Sequence, residues 1–180
     1  EAGHAILFHV LPDMDPVYTI SIIPTGIGAA GYTMPLPEND DIFSTKGKML
    51  QDITTLLGGR VAEEIIFGDI TTGASNDIKR ATSTARAMVM QYGMSEKMGL
   101  NAYGNEGDEV FIGRDLAHTR SYSEEVAKEI DQEIHDIIDG CHAKAKEIIL
   151  QHMDVLHKCA ELLLEKEKVQ RDEFEALFTL

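Results

Sequence analysis

Basic residues are scarce in this sequence: 16 Lys and Arg stand against 31 Asp and Glu, a formal net charge of -15 over 180 residues. That balance cannot neutralise a run of phosphates, which excludes nucleic acid and an anionic membrane surface as partners. Long apolar runs are missing as well. The longest, such as "AILF" and the leucines of "ELLLE", fall far short of the roughly 20 residues a membrane-spanning helix needs. No basic-then-apolar leader opens the sequence, so the residues are expected to form a soluble unit. Cysteine occurs only at Cys141 and Cys159, in helical patterns without C-x-x-C spacing. A disulfide framework and a thiolate zinc site are excluded, and a reducing compartment fits. No G-x-x-x-x-G-K-[ST] stretch occurs, so these residues hold no phosphate loop for nucleotide hydrolysis. Internal repeats and low-complexity linkers are absent too. With 43% hydrophobic residues, the length suits one domain with a sizeable core.

What is present reads as a short sheet followed by helices. Residues 1 to 11 have the pattern of a helix tail, and "PVYTISIIP" at 16 to 24 has the β-branched, aromatic alternation of a strand. Gly26, Gly28 and Gly31 then predict a turn, and "YTMPLP" a second extended piece, confined to a sheet edge by Pro35 and Pro37. From Ser44 to Phe67 the residues Leu50, Ile53, Leu57 and Val61 recur at helical spacing, predicting one helix whose stripe continues into Glu64. "DIKRATSTARAMVMQYG" predicts a further helix stopped at Gly93, and "EVFIG" a short strand. Residues 121 to 166 read as two helices hinged near "QHMD". Capping boxes are expected at Ser121 with Glu124 and at Asp172 with Glu175, the latter opening a final short helix.

Two motifs invite a cofactor reading and fail on context. "GIGAAG" at 26 to 31 matches a dinucleotide fingerprint after a strand, yet Tyr32, Thr33, Pro35 and Pro37 follow where a helix should begin, so the reading is a turn. "DLAH", "DGCH" and "DVLH" echo the Asp/Glu-x-x-His of carboxylate di-iron bundles. His135, Asp139 and His142 share a helix side, but beside the polar face of a helix whose core stripe is Ile130, Ile134, Ile137, Cys141 and Ile148. A solvated polar stripe is the expected role there. His9, His118, His152 and His157 carry no pattern of their own.

The opening "EAGHA" is different, because Glu1 and His4 hold the spacing of the last four residues of H-E-x-x-H. In that motif two histidines at i and i+4 bind one zinc, and the Glu beside the first acts as general base on the attacking water. A third protein ligand is needed. The candidates in the sequence are Asp77, in a Gly-rich turn entering a helix, and Glu63 or Glu64 in the helix before it.

"EAGHA", "SIIPTG", "GYTMPLP", "LLGGRVAEEIIFGDITTGASNDIKRAT", "QYGMSEKMG" and "RSYSEEVAKEID" follow one another in unbroken order along essentially the whole chain. Together they resemble the peptidase domain of the FtsH family, membrane-anchored ATP-dependent zinc proteases of bacteria, mitochondria and chloroplasts. The resemblance implies a mostly α-helical α+β fold: a zinc-metallopeptidase helix with a small sheet in residues 1–115, then a helical part in 116–180, all within a single domain. It implies a family His immediately before Glu1, with Glu1 as general base and His4 and Asp77 as zinc ligands, one zinc per chain. Gly31, Tyr32 and Thr33 fall on the family's edge-strand region, where an extended polypeptide substrate adds as a further strand. Further implications are a homo-oligomer, a hexamer, and an upstream ATPase domain and membrane anchor outside these residues. ATP would act only through that upstream domain, and the peptidase domain would lie in the cytoplasm in a bacterium or at an organelle membrane in a eukaryote. The alternative is an assembly domain that keeps the fold without its metal.

Overall fold

The computed structural model describes residues 1–24, 30–37, 42–103 and 122–179. The predicted "EVFIG" strand, His118, Ser121 and most of the "GIGAAG" turn lie outside them. The opening residues form α1 (Ala2–Val10), almost wholly apolar, with Ala5, Ile6 and Leu7 fully buried. Such a helix is stable only as the centre of a fold. It stops at Leu11, whose backbone is extended ahead of Pro12.

Two strands follow, β1 (Val17–Ser21) and β2 (Tyr32–Pro35), paired antiparallel with Ile20 opposite Thr33 and Ser21 opposite Tyr32. A third, β3 (Lys168–Gln170), pairs with the other side of β1, giving the order β2-β1-β3. As expected from its prolines, β2 is an edge. The three residues of β3 have no strand signature in the sequence; Val169 is simply buried opposite Ile20.

The helix expected from Ser44 to Phe67 is two helices, α2 (Lys46–Leu56) and α3 (Gly58–Phe67). Apolar periodicity runs across the break, but Gly58 and Gly59 follow it and weaken helix continuity. Close approach explains the glycines: a Cβ at Gly58 would lie 3.0 Å from the Gly3 carbonyl oxygen and 2.8 Å from Leu7 Cδ1. A Cβ at Gly3 would lie 2.5 Å from the Gly58 oxygen. After Gly68, left-handed at φ 62°, a 3-10 turn at Thr72–Ala74 leads into α4 (Ser75–Met90). Gly93, with φ 59°, terminates that segment as predicted.

The remainder is α5 (Glu124–Gln151), α6 (Met153–Lys166) and α7 (Arg171–Ala176), with the expected hinge at His152. Both caps are shifted from expectation. Ser123, not Ser121, caps α5 by accepting from Val126 N–H. The final capping box is Gln170 with Glu173, not Asp172 with Glu175, because β3 carries the chain in extended form right up to Arg171.

Two cores result. One gathers α1, β1, β3, α7 and the C-terminal half of α5 around Ile6, Leu7, Ile20, Ile149 and Phe174. The other gathers α2, α4 and the N-terminal half of α5 around Ile53, Ala85, Met88 and Ile134. At 28 residues, α5 is about 42 Å long and serves both.

Candidate metal centre

A cleft of about 690 Å³ opens between α1, β2, α2 and α4, lined among others by Glu1, His4, Gly31, Tyr32, Thr33 and Asp77. Sequence positions as far apart as 4 and 77 thus face one another. His4 lies on the one side of α1 that is not packed into the core, and its ring is oriented from outside that helix. Its Nδ1–H donates to the Thr55 carbonyl at 2.8 Å. Thr55 sits in the last turn of α2, where helix carbonyls run short of intrahelical donors. A carbonyl only accepts, so Nδ1 carries a proton, and in the neutral ring Nε2 keeps its lone pair.

That lone pair faces Asp77 Oδ2 across 3.4 Å. In the neutral ring two acceptors so disposed repel until a cation or proton comes between them, an arrangement that accommodates a metal ion as well as a protonated imidazole. The space beside Nε2 is kept open by a glycine. A Cβ at Gly59 would fall 2.7 Å from His4 Nε2. Asp77 stands in the first turn of α4, where a carboxylate suits the helix dipole, and Arg80 Nη1 lies 3.8 Å from its other oxygen. Nitrogen and carboxylate oxygen, both partly exposed at 16% and 26%, fit zinc by donor chemistry. They are two donors, and the described residues contain no cluster of three or more metal-binding side chains.

Glu63 and Glu64, the other candidates, are committed elsewhere. Glu63 accepts from Thr71 Oγ1 at 2.5 Å and from Thr71 N–H at 3.4 Å, with Arg60 Nε at 3.6 Å. It braces the turn that leads to Asp77. Glu64 does not enter the core as its stripe implied; it is half-buried and pairs with His142 Nε2 at 3.0 Å. His142 is thus paired across to α3 while still partly exposed, whereas His135 and Asp139 form the exposed pair expected of that face.

Residues 1–177 match the sequence profile of peptidase family M41. The chain belongs to that family. By this assignment it is a metallopeptidase domain, and its relatives carry the corresponding name. It is 55% identical over 177 residues to the "ATP-dependent zinc metalloprotease FtsH" of Caldicellulosiruptor bescii, covering 98% of this chain and 29% of that protein. It is 51% identical over 178 residues to "ATP-dependent zinc metalloprotease FtsH 1" of Thermoanaerobacter sp., covering 99% and 29%. The figure for "ATP-dependent zinc metalloprotease FtsH" of Thermotoga maritima is 49% over 179 residues, again 99% and 29%. The chain therefore spans less than a third of the length of these relatives. No helix among its described residues is long and apolar enough to cross a membrane.

Sequence reasoning about this metallopeptidase domain missed Thr55 and Gly59. Thr55 acts through its backbone carbonyl, which leaves no side-chain signal. The "GG" at 58 and 59 was visible, but only the packing of α3 on α1 shows what each glycine clears.

Proposed function

We propose that this domain is a zinc-dependent endopeptidase, and that the whole protein is an ATP-dependent, membrane-anchored protease of unfolded or misassembled polypeptides. The observation that carries the reading is the approach of His4 Nε2 to Asp77 Oδ2 at 3.4 Å, in the same cleft as Glu1. His4, Asp77 and the His preceding Glu1 would hold the ion, the Thr55 carbonyl fixing the His4 tautomer. The chemistry zinc supplies when bound is Lewis-acid polarisation of a carbonyl and acidification of water. Glu1 takes the proton of the attacking water on its carboxylate and passes it to the leaving amine nitrogen. Among the described residues β2 is an edge strand beside the cleft, and its outer backbone groups would pair with an extended polypeptide, which favours main-chain recognition and broad specificity. The relatives' names support ATP-dependence, which needs residues outside this chain. Assembly as a closed hexameric ring accords with the same resemblance.

The test uses the full-length protein. Asp77→Ala is expected to lose zinc and peptidase activity while staying folded. Glu1→Gln is expected to keep zinc and lose turnover by about 100-fold or more. Stoichiometric zinc in a folded Asp77→Ala variant would refute the ligand assignment.

A further inference from the structure

The general base of this reading is held by a strand and not by its own helix. The side chain of Glu1 makes no hydrogen bond to the first turn of α1. Its Oε2 instead accepts from Thr33 Oγ1 at 2.7 Å, and the same hydroxyl lies 3.2 Å from the Glu1 carbonyl oxygen. A hydroxyl has one proton, and the shorter contact, to an ionised acceptor, is the stronger of the two. Gly31 closes the other side. A Cβ there would lie 3.1 Å from Glu1 Cγ and 2.5 Å from the Ser21 carbonyl oxygen, so the carboxylate arm lies against bare backbone.

Thr33 is suited to this work. It is β-branched and therefore stiff at χ1, and it is fixed in the sheet opposite Ile20, which is fully buried. Glu1, by contrast, reaches its carboxylate through rotatable bonds that nothing in α1 restrains.

We propose that Thr33 is a positioning residue for Glu1 and not a contact for the substrate side chain. The proposal rests on the peptidase reading above and adds how its base is aimed. Because Thr33 belongs to the edge strand that would receive the polypeptide, the same strand then seats the substrate and holds the base against it.

The test compares Thr33→Val, which keeps shape and removes the hydroxyl, with Thr33→Ser, which keeps the hydroxyl, both in the full-length protein with a fluorogenic peptide. Thr33→Val is expected to lower kcat about 10- to 100-fold, the scale of a misaimed catalytic group. KM should stay within about twofold of wild type and zinc per chain unchanged, since neither ligand nor substrate contact is altered. Thr33→Ser should keep most of kcat. In a Glu1→Gln background, Thr33→Val should cause no further loss, because the group it positions no longer acts. Anisotropy of a labelled peptide on zinc-loaded Glu1→Gln, with and without Thr33→Val, should give equal affinities. A raised KM or weakened peptide binding with kcat intact overturns the proposal in favour of a substrate contact. Equal losses in the Val and Ser variants overturn it in favour of packing. Absence of turnover by the zinc-loaded wild type overturns the peptidase reading, and this proposal with it.

Discussion

At the scale of single residues, the site depends on what is absent from position 59 as much as on what is present at 4 and 77. A methyl group at Gly59 would sit 2.7 Å from His4 Nε2, and the ring cannot swing aside without losing its 2.8 Å bond to Thr55. Gly59→Ala is therefore expected to weaken zinc binding by about 10- to 100-fold, as loss of an orienting partner does, with the fold retained. Competition titration against a chelating dye measures this. A second residue effect lies at the far end of α1. His9 stacks on Phe178 at 4.0 Å between ring centroids and meets Phe174 edge-on, and His152 is tilted against Phe178 at 5.6 Å. Burial pushes the His9 imidazole below its ordinary value, Glu175 opposing and His152 and Arg171 assisting. The unfolded chain then takes up the proton first as pH falls. Stability from this group is whole above the ordinary His value of about 6.5 and declines as pH drops below it. Urea midpoints followed from pH 7.5 to 5.5 should fall less steeply in His9→Gln than in wild type.

Among elements, the decisive contact is that between α1 and α3, where Gly3 and Gly58 let two helix backbones approach closely. Gly3→Ala would put a Cβ 2.5 Å from a backbone oxygen, which cannot rotate away. Overpacking costs about 1–3 kcal/mol, against a helix-propensity gain of up to about 1 kcal/mol; a net loss in the denaturation midpoint is expected. The neighbouring ion pair matters far less. Glu64 and His142 join α3 to α5 with side chains 29% and 33% exposed, and a pair so solvated contributes about 0–1 kcal/mol. Glu64→Ala should accordingly stay folded, with zinc content unchanged. A Glu64→Ala protein that lost its zinc would mean that α3 positions the metal through this pair.

On the scale of the whole molecule, the two proposed ligands belong to different cores. His4 is carried by α1, in the core built with the sheet, and Asp77 by α4, in the core built with α2. An ion held between them fastens the two together, with α5 as the other common member. Metal that binds only the folded state stabilises it by about 2.7 kcal/mol at a free concentration 100 times Kd. Chelation of the full-length protein should thus lower the melting temperature of this domain, and readdition of zinc restore it. Asp77→Ala should melt at the chelated temperature whether or not zinc is added. An unchanged melting temperature on chelation would show that the cores hold together without the ion.

The elements of the fold could mostly be read from periodicity and punctuation: α1, β1, the edge strand β2, α4 stopped at Gly93, and the hinge between α5 and α6. These are local properties, set by spacing of apolar residues and by glycine and proline. Glu1, His4 and Asp77 were singled out by motif and resemblance, and folding brings them to one cleft. The rest was decided at a distance. The break between α2 and α3 follows from the approach of α1, and β3 exists because Val169 finds Ile20 across the sheet. The cap of α7 moved because β3 keeps the chain extended up to Arg171. Thr55's carbonyl, the clearance at Gly59 and the Thr33 hydroxyl on Glu1 join residues 51, 55 and 32 positions apart. A hydrogen bond or a close contact depends on where folding puts two groups, and one-dimensional spacing holds no record of that.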